Sequence, residues 1–190
     1  MKYLCCFLFL FSSAIYGSES SIQLRAGYFY PTASVMKQVY HNGGFEPEIE
    51  GNIRVLENVR LFLNFSAFYK KGETQGLSTP TSIQIYPLSF GAKYDFFINK
   101  YSLFYLGFAP SISWAIVKDN SPFVRKKTTE VAGGLVGKLG FYFHLKKHVI
   151  VDIFTDYSYA KFGSDTFLGV QTTSVDLGGL KVGIGIGGVF

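Results

Sequence analysis

The chain has 190 residues, of which 18% are aromatic and only 16% charged, and its formal net charge is +5 at pH 7. Soluble domains are typically about one quarter charged, yet beyond residue 17 no apolar run reaches the roughly 18 residues of a membrane-spanning helix. The basic residues are scattered and form no nucleic-acid-binding motif, so we expect no binding of DNA or RNA. These properties restrict the chain to a β-rich soluble protein or a membrane β-barrel.

The first 17 residues have the pattern of a secretory signal peptide. Lys2 is followed by an apolar run and then by small residues, with cleavage expected after Ala14 or Gly17. The mature domain is therefore predicted to span residues 18–190. Both cysteines of the chain lie in the signal segment, which excludes disulfides and thiolate chemistry from the mature domain.

Beyond the signal, apolar and polar residues alternate with a period of two, which indicates half-apolar β-strands. In the first strand, Ile22, Leu24 and Tyr28 share one face, whereas Gln23 and Arg25 share the other. Eight such runs follow one another along the chain. They cover residues 21–31, 48–55, 60–70, 82–97, 101–117, 130–145, 149–162 and 180–190.

The fourth run changes phase in its middle. Ile83 and Ile85 have one parity, whereas Leu88, Phe90 and the later apolar residues have the other. One extra residue would restore the alternation, and proline is tolerated at bulges. The pattern therefore predicts a β-bulge near Tyr86 and Pro87.

The connections between the runs alternate in length. Short ones lie at residues 56–58, 98–100 and 146–148, and long ones at 31–46, 71–81, 118–130 and 163–175. An even strand number with short turns on one rim and longer loops on the other is typical of outer-membrane barrels. We therefore predict an all-β, eight-stranded, antiparallel up-and-down transmembrane barrel with short periplasmic turns and longer extracellular loops.

The two strand faces differ in bulk, which predicts their orientation. One carries large apolar side chains, whereas the other carries glycine, serine, alanine and charge, and the interior of eight strands is only wide enough for side chains to fill. The bulky face must then point into lipid, and the charges must line the lumen as a mutually neutralising network. This predicted network comprises Arg25, Glu48, Glu50, Arg54, Arg60, Lys93, Asp95, Lys138, Asp152, Asp156 and Lys181.

The final strand has features of an assembly signal. Alternate glycines are expected to face the lumen, and Phe190 is expected to face outward at the periplasmic interface. Gly185 and Phe190 fit the C-terminal signal through which the barrel-assembly machinery recognises its substrates, whereas Gly188 stands where an aromatic residue is usual. We therefore expect pairing of the last strand with the first and recognition by that machinery.

Four stretches carry a family resemblance: "AGYFYP", "PLSFGAKYDF", "FYLGFAPSISW" and "LGGLKVGIGIGGVF". Through them, residues 20–190 resemble the small outer-membrane barrels of the outer-membrane protein W and outer-membrane protein A types. The resemblance implies localisation in the outer membrane. Its W type implies a narrow route for small hydrophobic molecules.

No arrangement of residues predicts catalysis. His144 is expected near the periplasmic rim, as is His148, whereas Ser158 is expected nearer the outer rim, beyond hydrogen-bond reach. His41 lies in a long loop with nothing to fix it beside Ser158. The sequence therefore predicts a protein that is not an enzyme, and it contains no metal-ligand or cofactor motif.

The third long loop is basic and is expected at the outer rim. Lys118, Arg125, Lys126 and Lys127 would lie level with the phosphates of lipopolysaccharide, which lysine and arginine bind by charge-assisted hydrogen bonds. The same loop would suit an unidentified host-surface ligand. The predicted role is thus structural or interactive at the cell surface, in contact with outer-membrane lipid. Two alternatives remain open, a narrow porin-like channel for small solutes and a soluble periplasmic ligand-binding barrel with an inward apolar cavity.

Overall fold

The computed structural model of the chain describes residues 19–40, 43–73, 80–119, 127–146, 148–162 and 175–190. The signal segment predicted over residues 1–17 lies outside the described residues. Within the described ranges, no helix combines the length and the hydropathy needed to cross a membrane.

The described residues form strands that run up and down along the chain, with one short helix. The elements are β1 (Ser20–Pro31), α1 (Ser34–Tyr40), β2 (Gly44–Leu56), β3 (Val59–Ser66), β4 (Phe68–Glu73), β5 (Pro80–Asn99), β6 (Ser102–Asp119), β7 (Lys127–Lys146), β8 (Val149–Phe162), β9 (Val175–Asp176) and β10 (Gly179–Val189).

The sheet closes into a barrel because β1 pairs with β2 on one side and with β10 on the other. Each continuous strand of the barrel wall is called a stave below. β3 and β4 form one stave, interrupted at Ala67, since both pair with β5 in one continuous register. β9 and β10 likewise pair with β8 in a single register. The described strands thus build eight antiparallel staves, which confirms the predicted up-and-down transmembrane barrel.

The strands are inclined to the barrel axis. Following the paired residues once around the barrel leads from Ser20 of β1 back to Tyr30 of the same strand, ten residues further along. A stagger of this size in an eight-stranded barrel corresponds to a tilt of about 40°. A residue therefore advances only about 2.5 Å along the membrane normal.

The two rims differ as the connection lengths predicted. Turns of two residues join β2 to β3 at Glu57 and Asn58, and β5 to β6 at Lys100 and Tyr101. The first long connection, between β1 and β2, contains α1, which the alternation patterns did not predict. Met36, Val39 and Tyr40 form one apolar face of this helix, at the spacing of an amphipathic segment.

The outer wall of the barrel is apolar. The exposed fractions of Leu24, Phe108 and Ile184 are 64%, 58% and 65%, and large apolar side chains of the same parity are exposed on each long stave. Such a surface is stable in lipid, where the closed barrel satisfies every backbone hydrogen bond internally. This orientation is the opposite of the one that a soluble ligand-binding barrel requires.

The predicted bulge at Tyr86 and Pro87 is wrong. β5 keeps one register with β6 through this region, with Ile85 opposite Ala115 and Pro87 opposite Ser113. Ile83 and Ile85 keep the inward parity and are buried inside the barrel. The apolar residues change parity because the outer part of the lumen is itself apolar.

Candidate functional site

The centre of the lumen contains a network of charged side chains from six strands, placed there by the inward parity of each strand. Eight of the eleven predicted lumen residues meet in it. This central charge network consists of Arg25, Glu48, Glu50, Lys93, Lys138, Asp152, Asp156 and Lys181.

Arg25 is the hub of the network, and its side chain is fully buried. Its Nη1 lies 2.6 Å from Oε1 of Glu48 and 2.8 Å from Oε2 of Glu50. Its Nε lies 2.9 Å from Oδ2 of Asp152. The planar guanidinium presents its donors in a fixed fork, and here it contacts carboxylates of both β2 and β8.

Glu50 is surrounded by cations. Its carboxylate contacts the ammonium of Lys93 and lies 3.0 Å from that of Lys138, in addition to its pair with Arg25. The Lys93 ammonium also donates to the hydroxyl of Tyr142 at 2.9 Å. Because Lys93 forms its ion pair with Glu50 and both groups are buried, loss of the carboxylate would leave the Lys93 ammonium buried without its ion-pair partner.

Lys181 binds a carboxylate that the sequence analysis missed. Its Nζ lies 3.0 Å from Oε1 of Glu46 and also contacts Glu48. The predicted second strand began at Glu48, whereas β2 begins at Gly44. The parity that Glu46 shares with Glu48 and Glu50 was the available signal. The buried charges are then nearly balanced: Arg25, Arg60, Lys93, Lys138 and Lys181 against Glu46, Glu48, Glu50, Asp95, Asp152 and Asp156.

The remaining predicted lumen charges lie closer to the periplasmic rim. Arg60 and Asp95 form a separate buried pair, with Nη2 and Oδ1 2.5 Å apart. Arg54 lies outside the central charge network: it pairs with Glu19, and its side chain is 25% exposed. Arg54 is three positions before Glu57, the first residue of the β2–β3 turn, where the lumen opens to solvent.

Three aromatic residues, to which sequence reasoning assigned no role, fill the space between the charges. The rings of Tyr105 and Tyr142 stack with centroids 4.6 Å apart. The guanidinium carbon of Arg25 lies 3.6 Å from the ring centroid of Phe154. Glycine on neighbouring strands makes room for them, since a β-carbon on Gly140 would lie 2.6 Å from the Tyr105 hydroxyl oxygen.

An apolar plug fills the lumen on the extracellular side of the network. The expectation that the interior holds only small and charged residues was therefore incomplete. Side chains of α1 enter the barrel mouth and join apolar residues from the staves. The apolar plug consists of Phe29, Met36, Val39, Tyr40, Phe68, Ile83, Ile85, Ala115, Val117, Ala132, Ala160 and Leu177. Apolar residues of inward parity, such as Phe29 and Phe68, were the available signal for the strand part of the plug. The helix part could not be found from strand alternation, because the helix lies in a connection.

A cavity of about 50 Å³ separates the plug from the network. Phe68 and Ile85 line it on the plug side, and Lys138, Asp156 and Lys181 on the network side. Serine hydroxyls line its walls, from Ser66, Ser89, Ser111, Ser113 and Ser158. This space accommodates a few water molecules.

The outer rim carries two of the four predicted loop cations within the described residues. Lys118 ends β6 and Lys127 begins β7, and the two are direct cross-strand partners with exposed side chains. Arg125 and Lys126 lie outside the described residues.

The last strand closes the barrel as its alternating glycines suggested. Arg25 is the cross-strand partner of Gly185, and Ser20 and Phe190 exchange backbone hydrogen bonds of 2.8 and 3.3 Å. The side chain of Phe190 is exposed on the outer wall. Recognition of Gly185 and Phe190 by the assembly machinery stays a prediction.

The histidines and Ser158 occupy separate places. Nε2 of His144 lies 4.0 Å from Glu19 at the periplasmic end, and His148 lies beside the carbonyl of Val189. The Ser158 hydroxyl donates to the Gly179 carbonyl at 3.4 Å, on the wall of the cavity. His41 lies outside the described residues. Among those described, no cluster of three His, Cys, Asp or Glu side chains could hold a metal ion.

No family model and no curated protein matches the chain. Solved structures do match it in fold. Neisserial surface protein A (NspA) has a TM-score of 0.67 at 19% identity, over 90% of this chain and 97% of that one. OprG, an outer membrane protein from Pseudomonas aeruginosa, has a TM-score of 0.63 at 15% identity, over 91% and 96% of the two chains. Ail, the attachment invasion locus protein of Yersinia pestis, in complex with the heparin analogue sucrose octasulfate, has a TM-score of 0.58 at 14% identity, over 91% and 99%.

Fold and lumen together define the class of the molecule. The chain is a small transmembrane β-barrel of eight staves, with a lumen filled by ion pairs and by an apolar plug. It has the fold of the eight-stranded outer-membrane barrels.

Proposed function

We propose that the protein is an integral outer-membrane barrel that does not conduct solutes and acts through its outer surface. Its role is structural or interactive, and its basic outer end contacts lipopolysaccharide or a host surface. Export through a cleaved signal peptide over residues 1–17 is part of this proposal. The mass of the mature protein tests it, since cleavage after Ala14 or Gly17 gives two distinct values.

The observation that carries the proposal is the filling of the lumen at successive levels. The Arg60–Asp95 pair lies towards the periplasmic side, the central charge network fills the middle, and the apolar plug fills the outer part. An ion that passed through the lumen would have to displace the paired charges of the central network. It would then have to cross the apolar plug, which offers it little polar coordination. Both steps are costly in a medium of low dielectric constant.

The comparisons support a surface role only by analogy. One neighbour in fold is a Neisserial surface protein, and another is an attachment invasion locus protein bound to a heparin analogue. Identities of 19% and 14% carry the fold and not the ligand. The basic residues at the outer end supply the independent reason to propose an anionic partner.

We further propose that the barrel is not an enzyme. The Ser158 hydroxyl is engaged with a backbone carbonyl, and His144 lies at the other end of the barrel beside Glu19. Both observations favour a hydrogen-bonding role for these residues. The absence of hydrolysis of phospholipid and lipopolysaccharide acyl esters by the refolded protein would support this part of the proposal.

Conductance across a planar lipid bilayer tests the closed lumen. We expect the refolded protein to give no unitary current steps, under conditions in which a known porin does. Protein that shifts on a heat-modifiability gel must be used, so that silence reflects a folded barrel. Reproducible current steps from the unaltered folded barrel, with a size that an Arg25→Ala or Glu50→Gln variant changes, would overturn the proposal in favour of the narrow channel.

A further inference from the structure

Three exposed lysines form a cross-strand row on the outer wall of the barrel. Lys71 of β4 is the partner of Ser82, Ser82 is the partner of Lys118, and Lys118 is the partner of Lys127. All three lysine side chains are exposed and have the outward parity of their strands. Lys71, Lys118 and Lys127 are called the lysine row below. Lys71 was not among the predicted loop cations.

The lysine row continues an aromatic segment of the lipid-facing wall. Two residues before Lys71 on β4 lies Tyr69, which is half exposed. Four residues before Lys118 on β6 lies Trp114, whose cross-strand partner is Tyr86. Trp and Tyr rings favour the membrane interface, so Lys118 lies about 10 Å above that level on an outward face.

The row is oblique to the membrane plane because the strands are tilted. Lys71 and Lys127 are three strand spacings apart, about 14 Å along the sheet. With the tilt of this barrel, the row rises by about 9 Å from Lys71 to Lys127. The row thus presents positive charge at several depths of the head-group region. This arrangement suits a ligand whose phosphates lie at different heights along the membrane normal.

The charges of the lysine row are available to a ligand. Among the described residues, no ion pair includes Lys71, Lys118 or Lys127, whereas the lumen lysines are all paired. Glu73 lies on the same face of β4, further from the membrane, and forms no ion pair with Lys71. The residues between the lysines and the aromatic segment include Gln84 and Thr129, which can bind sugar hydroxyls.

We infer that the lysine row binds the phosphate groups of lipopolysaccharide, while the apolar wall below it packs against the acyl chains. This inference rests on the proposed outer-membrane function and names its partner. The lipid-facing orientation favours lipopolysaccharide over a soluble polyanion, since a soluble ligand would gain nothing from Tyr69 and Trp114. Charge-assisted hydrogen bonds to phosphate supply the affinity.

The test measures lipopolysaccharide binding to the folded barrel in phosphatidylcholine nanodiscs by native mass spectrometry. We expect Lys118→Glu to weaken the apparent affinity by about tenfold, an effect of one charge-assisted contact. The triple Lys→Glu variant of the row should reduce binding to the level that the unaltered protein shows with dephosphorylated lipopolysaccharide. Lys100→Glu is the matched control, because Lys100 is exposed at a periplasmic turn and should leave binding unchanged.

Three results would overturn the inference. One is equal binding by the triple variant and by Lys100→Glu, with both running as folded barrels on a heat-modifiability gel. Another is equal binding of phosphorylated and dephosphorylated lipopolysaccharide. A third is lysine-dependent binding of heparin without binding of lipopolysaccharide, which would assign the row to a soluble polyanion. If the lysine substitutions leave lipopolysaccharide binding unchanged and the barrel gives no current steps in bilayers, the proposed closed barrel is retained. Only the proposed partner is then wrong.

Discussion

Arg25 and Gly185 face each other across the seam where the first and last strands of the barrel meet. A β-carbon on Gly185 would lie 2.7 Å from Cγ of Arg25. The glycine therefore provides the space through which the arginine reaches the centre of the lumen. Closure of the sheet and assembly of the charge network depend on the same position.

Replacing Gly185 with alanine should destabilise the barrel by about 1–3 kcal/mol, the usual cost of overpacking a filled interior. The new methyl group meets the arginine stem close to the backbone, where the side chain has little freedom to move. Gly137→Ala is the control, because nothing lies within 4 Å of a β-carbon at that position. Urea unfolding in micelles measures both variants, and equal free energies of unfolding would contradict the crowding at the seam.

Glu50→Gln should be more damaging than the loss of an ion pair at the rim. The buried carboxylate lies among Arg25, Lys93 and Lys138, and breaking such a buried cluster costs about 3–5 kcal/mol. Glu19→Gln removes the partner of Arg54 at a partly exposed position and should cost at most about 1 kcal/mol. The free energies of unfolding decide the matter, and similar values for both variants would mean that water reaches the network.

The alternation of the strands predicted the barrel and the parity of most lumen residues, because side-chain direction in a strand depends only on the count along the chain. It could not predict which charges meet. Lys181 and Glu46 are 135 positions apart, and their contact depends on the stagger accumulated around the sheet. Arg54 shows the same limit, since its inward parity says nothing about its height in the lumen.

The bulge predicted at Tyr86 and Pro87 failed for a related reason. The prediction assumed that an apolar side chain must face lipid, so Ile83 and Ile85 were assigned to the outer wall. Their burial depends on α1, which covers the barrel mouth and makes the outer lumen apolar. The assignment of apolar residues to the lipid face considered each strand alone. It therefore could not take account of a helix from a different part of the chain that packs inside the barrel.

Met36→Ala should loosen the plug without unfolding the barrel. The side chain of Met36 is fully buried among apolar residues at the mouth. Its truncation leaves a cavity, which weakens the packing of this seven-residue helix against the other residues of the plug. We expect faster amide hydrogen exchange in α1 and unchanged exchange in β1. Lys37→Ala, at the exposed neighbouring position, is the control, and equal protection of α1 in both variants would contradict a role for Met36 in holding the helix.

Trp114 reports directly on the orientation of the strands, because it is the only tryptophan of the chain. Its side chain has the outward parity of β6 and is 36% exposed, next to Tyr86 of β5. In bilayers, we expect a blue-shifted emission that brominated acyl chains quench strongly and that aqueous iodide quenches weakly. A soluble barrel with an inward apolar cavity would give the reverse for the acyl-chain quencher. Strong iodide quenching without any effect of brominated lipid would therefore overturn the assignment of the outer wall. Lys118 has the same parity as Trp114 on β6, so the lysine row would then not lie beside the lipid.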